Sequence, residues 1–305
     1  MRKLVLVCIL SLLLPYIITL AWTGRIAEEQ EVPLITSGKK IILDRKNGER
    51  YMDVEEYLPG AVAKQIPMDY GKEALRAQTV IARTYIYQKM NGADEVKESE
   101  LHMEYLEEKQ MKELWGSESF IEYYQALEEA VKSTSGMVIT SNGSLIDPLF
   151  HRACTGMTRP GDENHPYLES VVSKGDVEAD GYLTMTVWTK EDFTAKINQI
   201  PEAVPVTAEQ VPQSIQIILR DDGGYVKQIQ IGTKEYTGEQ VQYALNLPSP
   251  AYTLEEYDGK IRIVSQGIGH GYGFSQYGAK LMAEEGMKAE DILAYFYKNI
   301  VLIFE

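Results

Sequence analysis

Cysteine is scarce in this chain, with only two residues among 305. Cys8 lies in an apolar run near the N-terminus, so Cys154 is the only cysteine of the remaining sequence. A disulfide between these two positions is geometrically implausible. With 44% hydrophobic residues the chain can bury a real core. We therefore expect the main domain to be held by that core, without disulfide bonds.

Positive charge and the common catalytic fingerprints are also lacking. The 30 lysine and arginine residues are outnumbered by 45 aspartate and glutamate residues, which gives a net charge of −15. An acidic protein must overcome repulsion from phosphate groups before it makes any contact, which argues against nucleic acid as the main partner. No G-x-S-x-G motif, Walker loop, H-E-x-x-H motif or dinucleotide fingerprint is present, and no internal repeat is found.

The N-terminal segment is the one long apolar run. Residues 4–22 carry no charge and are just long enough to cross a bilayer, and Arg2 and Lys3 precede them. A cleaved signal peptide is the alternative, but the run is long for one and residues 19–21 make a poor cleavage signal. The sequence predicts a single-pass signal anchor over residues 1–23, a tether over 24–38 and an extracytoplasmic domain over 39–305.

The remaining sequence is typical of the α+β class. The apolar spacing predicts helices over residues 53–64, 71–90 and 120–132. Turn signals at Asn142-Gly143, Asp222-Gly223-Gly224 and Asp258-Gly259 predict three β-hairpins. Because hairpins outnumber strand–helix–strand alternations, we expect mostly antiparallel sheets packed with helices.

A glycine-rich stretch, residues 267–279, is the most unusual local feature. Five glycines surround His270, and Ser275, Gln276 and Tyr277 follow. The stretch connects a predicted strand, residues 260–265, to a predicted helix, residues 279–285. Glycine at this density indicates positive φ angles or close approach of the backbone to another group. A tight turn without a ligand and a ligand-binding loop both fit this spacing.

Three polar residues lie on or beside the first two predicted helices. Gln65 lies at a helix end before Pro67, and Glu73 lies in the first turn of the next helix, where the helix dipole favours a carboxylate. Arg83 lies close to an apolar helix face and needs a carboxylate partner if it is buried. Glu55, Glu56 or Glu73 could provide that carboxylate.

His151 and Cys154 have the spacing H-x-x-C, which can begin a zinc site. No second pair of histidine or cysteine residues lies close by in the sequence, so the metal signal is weak. Cys154 could also be a nucleophile with His151 or His270 as its base. A buried, unreactive cysteine is the simpler interpretation.

Several of these stretches together resemble the stage II sporulation protein D / LytB family. The matching stretches are Glu55–Gly60, Glu73–Gln78, Ala82–Tyr85, Phe150–Thr158, Gly269–Ala279 and residues 286–301. The resemblance spans roughly residues 40–305. It implies a bacterial cell-wall protein, a membrane-anchored lytic transglycosylase that cuts peptidoglycan glycan strands during engulfment of the forespore. In that reaction one carboxylic acid protonates the glycosidic oxygen and then, as carboxylate, accepts a proton from the sugar 6-hydroxyl.

The chain departs from the family pattern at the catalytic position. The family glutamate lies in a V-A-x-E-M-P stretch, and residues 62–67 here place Gln65 at that position. An amide has the same shape but no proton to give, and the loss of a general acid typically costs about 10²–10⁴ in rate. Glu73 is a weak substitute for the acid, with Asp69 and Glu56 as the other nearby carboxylates.

The resemblance also implies the binding residues and the metal content. It assigns substrate binding to His270, Ser275, Gln276, Tyr277, His151 and Arg83. Some family members have a C-x4-H-C zinc motif, of which residues 97–103 retain only His102, so we expect no zinc there, and no other metal or cofactor is predicted.

Two functions stay open at this point. The chain is either a peptidoglycan-lytic enzyme that uses another carboxylate, or a catalytically impaired glycan-binding or scaffold paralogue. The expected partners are glycan strands, cell-wall or sporulation proteins, and the membrane through residues 4–22.

Overall fold

The computed structural model of this protein describes residues 36–45 and 48–305. The predicted membrane anchor, most of the predicted tether and the turn residue Asn47 lie outside these residues. Within the described part, no helix combines the length and apolar character needed to cross a membrane.

Helices and antiparallel strands alternate irregularly, as expected for the α+β class. The helices are α1 (Val54–Gln65), α2 (Lys72–Met90), α3 (Glu98–Leu101), α4 (Glu108–Ser133), α5 (Lys190–Ile197), α6 (Gly238–Leu245), α7 (Gln276–Glu284) and α8 (Ala289–Phe296). The first strands are β1 (Lys40–Arg45), β2 (Gly48–Asp53), β3 (Glu95–Lys97), β4 (Met137–Ser141), β5 (Ser144–Leu145), β6 (Phe150–His151) and β7 (Leu183–Trp188). The later strands are β8 (Ile215–Arg220), β9 (Val226–Ile231), β10 (Lys234–Tyr236), β11 (Tyr252–Tyr257), β12 (Lys260–Gln266), β13 (Phe274–Ser275) and β14 (Val301–Phe304).

Helix α2 lies at the centre of the first hydrophobic core. It packs against α1, α4, α7 and α8 and against strand β4. Its buried face includes Ala74, Ala77, Val80 and Ile81, which confirms the apolar face predicted from the spacing. Small alanine side chains let neighbouring helices approach this face closely.

The three predicted hairpins are confirmed. Strand β4 pairs with β5, β8 with β9, and β11 with β12, all antiparallel. Two short pairings are parallel, β1 with β3 and β6 with β13. In the second of these, Phe150 lies opposite Phe274 and His151 opposite Ser275, so two stretches distant in the sequence lie side by side.

A second hydrophobic core lies among α5, α6, β9 and β12. Arg159, which is almost fully buried, links this part to the glycine-rich stretch. Its guanidinium binds the carboxylates of Asp221 and Glu239 at 2.7 and 2.8 Å and lies between the rings of Tyr225 and Tyr272. The charge is therefore paired by two carboxylates and packed between two aromatic faces.

Several predicted helix boundaries differ from the structure, most by a single residue. The first helix begins one residue later than predicted, because Asp53 is its cap and accepts a hydrogen bond from the Glu55 amide. The helix predicted from Phe120 begins at Glu108 and contains a kink at Gly116. The helix predicted from Ala279 begins at Gln276, because the Ser275 hydroxyl accepts a hydrogen bond from the Gly278 amide and caps it.

Candidate functional site

Three glutamine side chains meet where α1 ends, next to α2 and the start of α7. Gln78 Nε2 donates to Gln65 Oε1 at 2.7 Å. Gln276 Nε2 donates to the Gln65 backbone carbonyl at 2.9 Å and to Gln78 Oε1 at 3.1 Å. Gln78 and Gln276 are buried, and Gln65 is half-buried. The structure thus brings Gln65 and Gln276, two of the predicted site residues, into one network.

The orientations of the three side-chain amides follow from one hydrogen bond, that between Gln276 and the Gln65 backbone carbonyl. A carbonyl oxygen can only accept, so the Gln276 group that contacts the Gln65 carbonyl is the donor Nε2. The same Nε2 donates to Gln78 Oε1, which leaves Gln78 Nε2 to donate to Gln65 Oε1. The amide nitrogen of half-buried Gln65 is then the group that can donate to a ligand.

Two tyrosines and two cations lie close together around the first turn of α7 and the 3₁₀ turn that follows α1. The rings of Tyr70 and Tyr277 meet edge to face with centroids 5.9 Å apart. The Arg152 guanidinium lies 5.6 Å from the Tyr70 ring centroid, and the Lys280 ammonium lies 5.6 and 5.3 Å from the two ring centroids. Tyr70 is buried, with 5% of its surface exposed, so Tyr277, Arg152 and Lys280 form the accessible part of this positively charged aromatic group, which we call the Tyr70–Tyr277 surface.

His270 belongs to a different group of contacts. Its Nδ1 accepts a hydrogen bond from the Tyr272 amide at 3.0 Å, and its ring lies 6.0 Å from that of His151. Burial and the nearby positive charge of Arg159 lower the pKa of His270 to about 4, so its imidazole is neutral at pH 7. Among the described residues, no hydrogen bond joins His270 to Gln65. His270 and Gln65 were both predicted as site residues, but they do not bind each other directly.

The glycine-rich stretch approaches other backbone very closely. Gly267, Gly269, Gly271 and Gly273 all have positive φ angles, between 70° and 102°. A side-chain carbon on Gly273 would overlap the carbonyl oxygen of Leu149, and one on Gly271 would overlap the Tyr225 ring. Packing within the protein itself accounts for these glycines, so their density does not by itself indicate a ligand.

A matched pair of substitutions tests this account. Gly273 and Gly259 have the same φ of +70°, but nothing lies within 4 Å of a side-chain carbon on Gly259. We expect Gly259→Ala to lower the free energy of unfolding by about 1–2 kcal/mol through backbone strain. Gly273→Ala should lower it by about 1–3 kcal/mol more. The Leu149 carbonyl cannot yield easily, because it accepts hydrogen bonds from the Phe274 amide and the Tyr297 hydroxyl.

Urea or thermal unfolding of both variants measures the difference. Equal losses for Gly259→Ala and Gly273→Ala would show that close approach to Leu149 does not explain Gly273.

Three residues assigned to substrate binding are buried in the structure. Arg83 has no exposed surface and binds both carboxylate oxygens of Glu55 at 2.7 Å, which confirms the expected carboxylate partner. Ser275 is equally buried, and its hydroxyl donates to Asp176. His151 is almost fully buried, with Nδ1 at 3.0 Å from the Tyr272 carbonyl. Buried side chains have little surface to offer a glycan strand, and the hydrogen bonds of all three residues connect parts of the protein itself.

Gln276 and Tyr277, which were also assigned to substrate binding, differ in their burial. Gln276 is buried and positions Gln65 through its backbone carbonyl. Tyr277 is half-buried on the Tyr70–Tyr277 surface and remains available to a ligand.

Glu73 holds the start of α8 rather than facing Gln65. Its carboxylate accepts from the Ala289 amide at 3.0 Å and binds Arg76 at 2.7 Å. Burial raises the pKa of Glu73, but the hydrogen bond from Ala289 and the charge of Arg76 outweigh it and lower the pKa below its usual value. An ionised carboxylate cannot donate a proton, so this position is unsuited to a general acid.

The other two candidate acids, Glu56 and Asp69, have different surroundings. Glu56 pairs with Arg50 at 2.9 Å and lies nine positions before Gln65 on α1, about 13 Å along the helix. Asp69 is exposed in the short 3₁₀ turn Met68–Tyr70, directly beside the Tyr70–Tyr277 surface. Asp69 is therefore the carboxylate best placed to reach a ligand on that surface.

Cys154 is fully buried beside Asp176, which accepts its backbone amide hydrogen at 2.6 Å. Burial, together with the neighbouring Asp176 carboxylate, raises the pKa of the Cys154 thiol. A buried thiol that resists ionisation is a poor nucleophile, which argues against a cysteine hydrolase.

The comparisons with known proteins agree with the motifs. A family model described as stage II sporulation protein matches residues 46–141, a span that includes Gln65 and Glu73. Stage II sporulation protein D of Bacillus amyloliquefaciens is 30% identical over 259 residues, covering 81% of this chain and 73% of that protein. The chain belongs to the stage II sporulation protein D family.

Two proteins of Bacillus subtilis strain 168 extend the comparison. Its stage II sporulation protein D is 30% identical over 258 residues, covering 81% of this chain and 73% of that protein. Its amidase enhancer is 24% identical over 296 residues, covering 80% of this chain but 40% of the longer relative. The similarity extends well beyond the segment that the family model matches.

Sequence reasoning missed several residues of the site. Gln78 lies in the matching stretch Glu73–Gln78, but no role was predicted for it. In the structure its side-chain amide donates to Gln65 and orients that residue. Tyr70, Arg152 and Lys280 carried no local signal, because their surface forms only when the turn after α1, the end of β6 and α7 meet. Asp176 lies in a loop-rich stretch, and only the fold brings it to Cys154.

Proposed function

We propose that this protein binds peptidoglycan glycan strands at the Tyr70–Tyr277 surface and Gln65, as a catalytically impaired member of its family. The observation that carries the proposal is the Gln65 amide, which Gln78 holds and which has no carboxylate as a hydrogen-bond partner within residues 36–45 and 48–305. An amide donates and accepts hydrogen bonds with sugar hydroxyls but supplies no proton for glycosidic cleavage.

The chemistry of the Tyr70–Tyr277 surface supports a glycan ligand. The half-buried Tyr277 ring offers an apolar face for the C–H faces of sugars and a hydroxyl for their polar groups, and the buried Tyr70 ring supports it edge to face. Arg152 is exposed and Lys280 half-buried, so both can pair with the carboxylates that peptidoglycan carries on its lactyl groups and peptides. This local positive charge is notable in a chain with a net charge of −15.

The proposal extends to location and process. An uncleaved anchor over residues 4–22 would hold the main domain outside the cell membrane, next to the cell wall. Membership of the stage II sporulation protein D family supports a role in sporulation or cell-wall remodelling.

Lytic transglycosylase activity is the second candidate function. Asp69 favours it, because this exposed carboxylate lies beside Tyr70 and could act as the acid in place of residue 65. In that case the same surface would bind and cut the strand.

One experiment separates the two functions. The purified chain is incubated with sacculi, bound protein is pelleted, and the supernatant is analysed for anhydro-muropeptides. We expect binding without release. Release of anhydro-muropeptides would establish the lytic alternative, and the absence of any binding would overturn both.

Substitutions on the Tyr70–Tyr277 surface provide the corresponding binding prediction. We expect Arg152→Ala and Tyr277→Ala each to weaken sacculus binding about tenfold, or ~1.4 kcal/mol. Arg262→Ala is the matched control, since Arg262 also lies over a tyrosine ring, that of Tyr257, but on the β11–β12 hairpin. Equal losses in all three variants would place the binding surface elsewhere.

A further inference from the structure

Three buried side chains with metal-binding atoms converge beneath the glycine-rich stretch. His151 comes from β6, Cys154 from the loop after it, and Asp176 from the 3₁₀ turn Lys174–Glu178. A ring nitrogen of His151, the Cys154 sulfur and a carboxylate oxygen of Asp176 all lie within 4.8 Å of one another. Each of the three residues is almost fully or fully buried.

The His151 ring is oriented as a metal ligand would be. Its Nδ1 lies 3.0 Å from the Tyr272 carbonyl, which can only accept, so Nδ1 carries the proton. Nε2 is then a bare acceptor, and it is buried without a hydrogen-bond partner among the described residues. Histidines that bind metals usually donate the other ring N–H to a carbonyl or carboxylate in this way. A buried acceptor left unpaired costs free energy that a bound cation would recover.

Three hydrogen-bond donors fix the orientation of the Asp176 carboxylate. Oδ2 accepts from the Cys154 amide at 2.6 Å and from the Ser275 hydroxyl at 2.7 Å, and Oδ1 accepts from the Ser173 hydroxyl at 2.7 Å. A carboxylate has about four lone-pair positions, so these three bonds leave one for a metal. Such outer hydrogen bonds are typical supports of a metal-binding carboxylate.

We propose that His151, Cys154 and Asp176 bind a zinc ion. Imidazole nitrogen, thiolate sulfur and carboxylate oxygen are the ligands that zinc takes in proteins, at about 2.0–2.3 Å. Zinc binding displaces the proton of the Cys154 thiol to solvent, and the resulting thiolate and the Asp176 carboxylate cancel the two positive charges, so the buried assembly is neutral. Three protein ligands leave the fourth tetrahedral position for water.

This zinc site differs from the sequence expectation of no metal. It lies outside residues 97–103, where the resemblance places zinc in other family members. The ion would join β6 to the 3₁₀ turn and, through Asp176 and Ser275, support the first turn of α7. Helix α7 carries Gln276 and Tyr277, so the ion would help to hold these two residues in place.

Metal analysis of the full chain in detergent tests the site. We expect about one zinc per chain after purification without chelating resin. Loss of the thiolate in Cys154→Ser should weaken zinc binding by at least about a hundredfold, because outer-shell changes alone cost about 10–100-fold. Cys8→Ser is the matched control, since it removes the other cysteine and should retain the metal.

Cobalt substitution identifies the ligands directly. After removal of zinc with a chelator and addition of cobalt chloride, the wild type and Cys8→Ser should show a thiolate-to-cobalt charge-transfer band. Cys154→Ser should lack it. In His151→Asn the side-chain amide keeps a donor near Tyr272 but removes Nε2, so cobalt and zinc affinity should fall while the circular dichroism spectrum is retained. No zinc or cobalt binding by the wild type, or unchanged binding in Cys154→Ser, would overturn the proposal.

Discussion

The Gln65→Glu variant is expected to release anhydro-muropeptides from sacculi, at a rate at least about 10²–10⁴ times the background measured with the wild-type chain. This factor is the typical contribution of a general acid, and the substitution adds a group that can act as one. The glutamate side chain has the same length and shape as glutamine, so binding at the Tyr70–Tyr277 surface should be unchanged.

The hydrogen bonds around Gln65 are compatible with a carboxyl group. Gln78 Nε2 donates to residue 65, and a carboxylate oxygen accepts such a bond as well as an amide oxygen does. Gln276 contacts the backbone carbonyl of Gln65 and not its side chain. The second oxygen of the new carboxyl group takes the place of the amide nitrogen, where it can carry the proton for the glycosidic oxygen.

Gln65→Asn is the control for this gain of activity, because it alters the same side chain without adding an acid. Time courses of anhydro-muropeptide release should separate Gln65→Glu from both Gln65→Asn and the wild type. If Gln65→Glu bound sacculi as tightly as the wild type and released nothing, the missing acid would not be the sole defect.

The Arg83→Met variant is expected to lose about 3–5 kcal/mol of unfolding free energy. Arg83 and Glu55 form a two-pronged ion pair with exposed side-chain fractions of 0% and 3%. The guanidinium also donates to the Met137 carbonyl and the Thr134 hydroxyl. Removing the arginine leaves the Glu55 carboxylate buried without its cation, and that desolvated charge is the main cost.

An exposed ion pair that uses the next residue of α1 provides the control. Arg50 of β2 and Glu56 of α1 lie 2.9 Å apart, and their side chains are 61% and 45% exposed. Arg50→Met should therefore change the unfolding free energy by about 0–1 kcal/mol. Urea unfolding of both variants gives the comparison, and similar losses would contradict the assigned burial of the Arg83 pair.

The double variant Glu55→Gln, Arg83→Met separates the two contributions. Replacing both members of a buried ion pair is often far less costly than breaking it, so the double variant should recover part of the stability lost in Arg83→Met. No recovery would indicate that Arg83 acts mainly through its contacts with Met137 and Thr134.

Much of the fold could be predicted because its signals are local. The turn at Asp258-Gly259 is encoded in two adjacent residues, and Asp258 and Gly259 both have positive φ in the structure. The apolar spacing of α2 identified its buried face. Helix starts were less certain, since the cap at Ser275 depends on a side-chain hydrogen bond that spacing does not reveal.

The candidate site was predictable only in part. The motifs located Gln65 and Gln276, but they did not distinguish a residue that faces a ligand from one that supports it. Ser275 and Arg83 belong to matching motifs and are buried. Burial depends on which elements pack over a residue, and no local pattern carries that information.

The sequence by itself determined that the chain belongs to the stage II sporulation protein D family, and the proposal that Gln65 takes the place of the family acid also comes from the sequence. It also determined the hairpins and helix α2, because turn chemistry and apolar periodicity act over a few residues, whereas the first half of α4 was not predicted. Only the tertiary structure decided that Gln65 meets Gln78 and Gln276, which lies 198 positions after Gln78. It likewise brought Asp176 to His151 and Cys154, because contacts between distant segments arise from packing of the whole core.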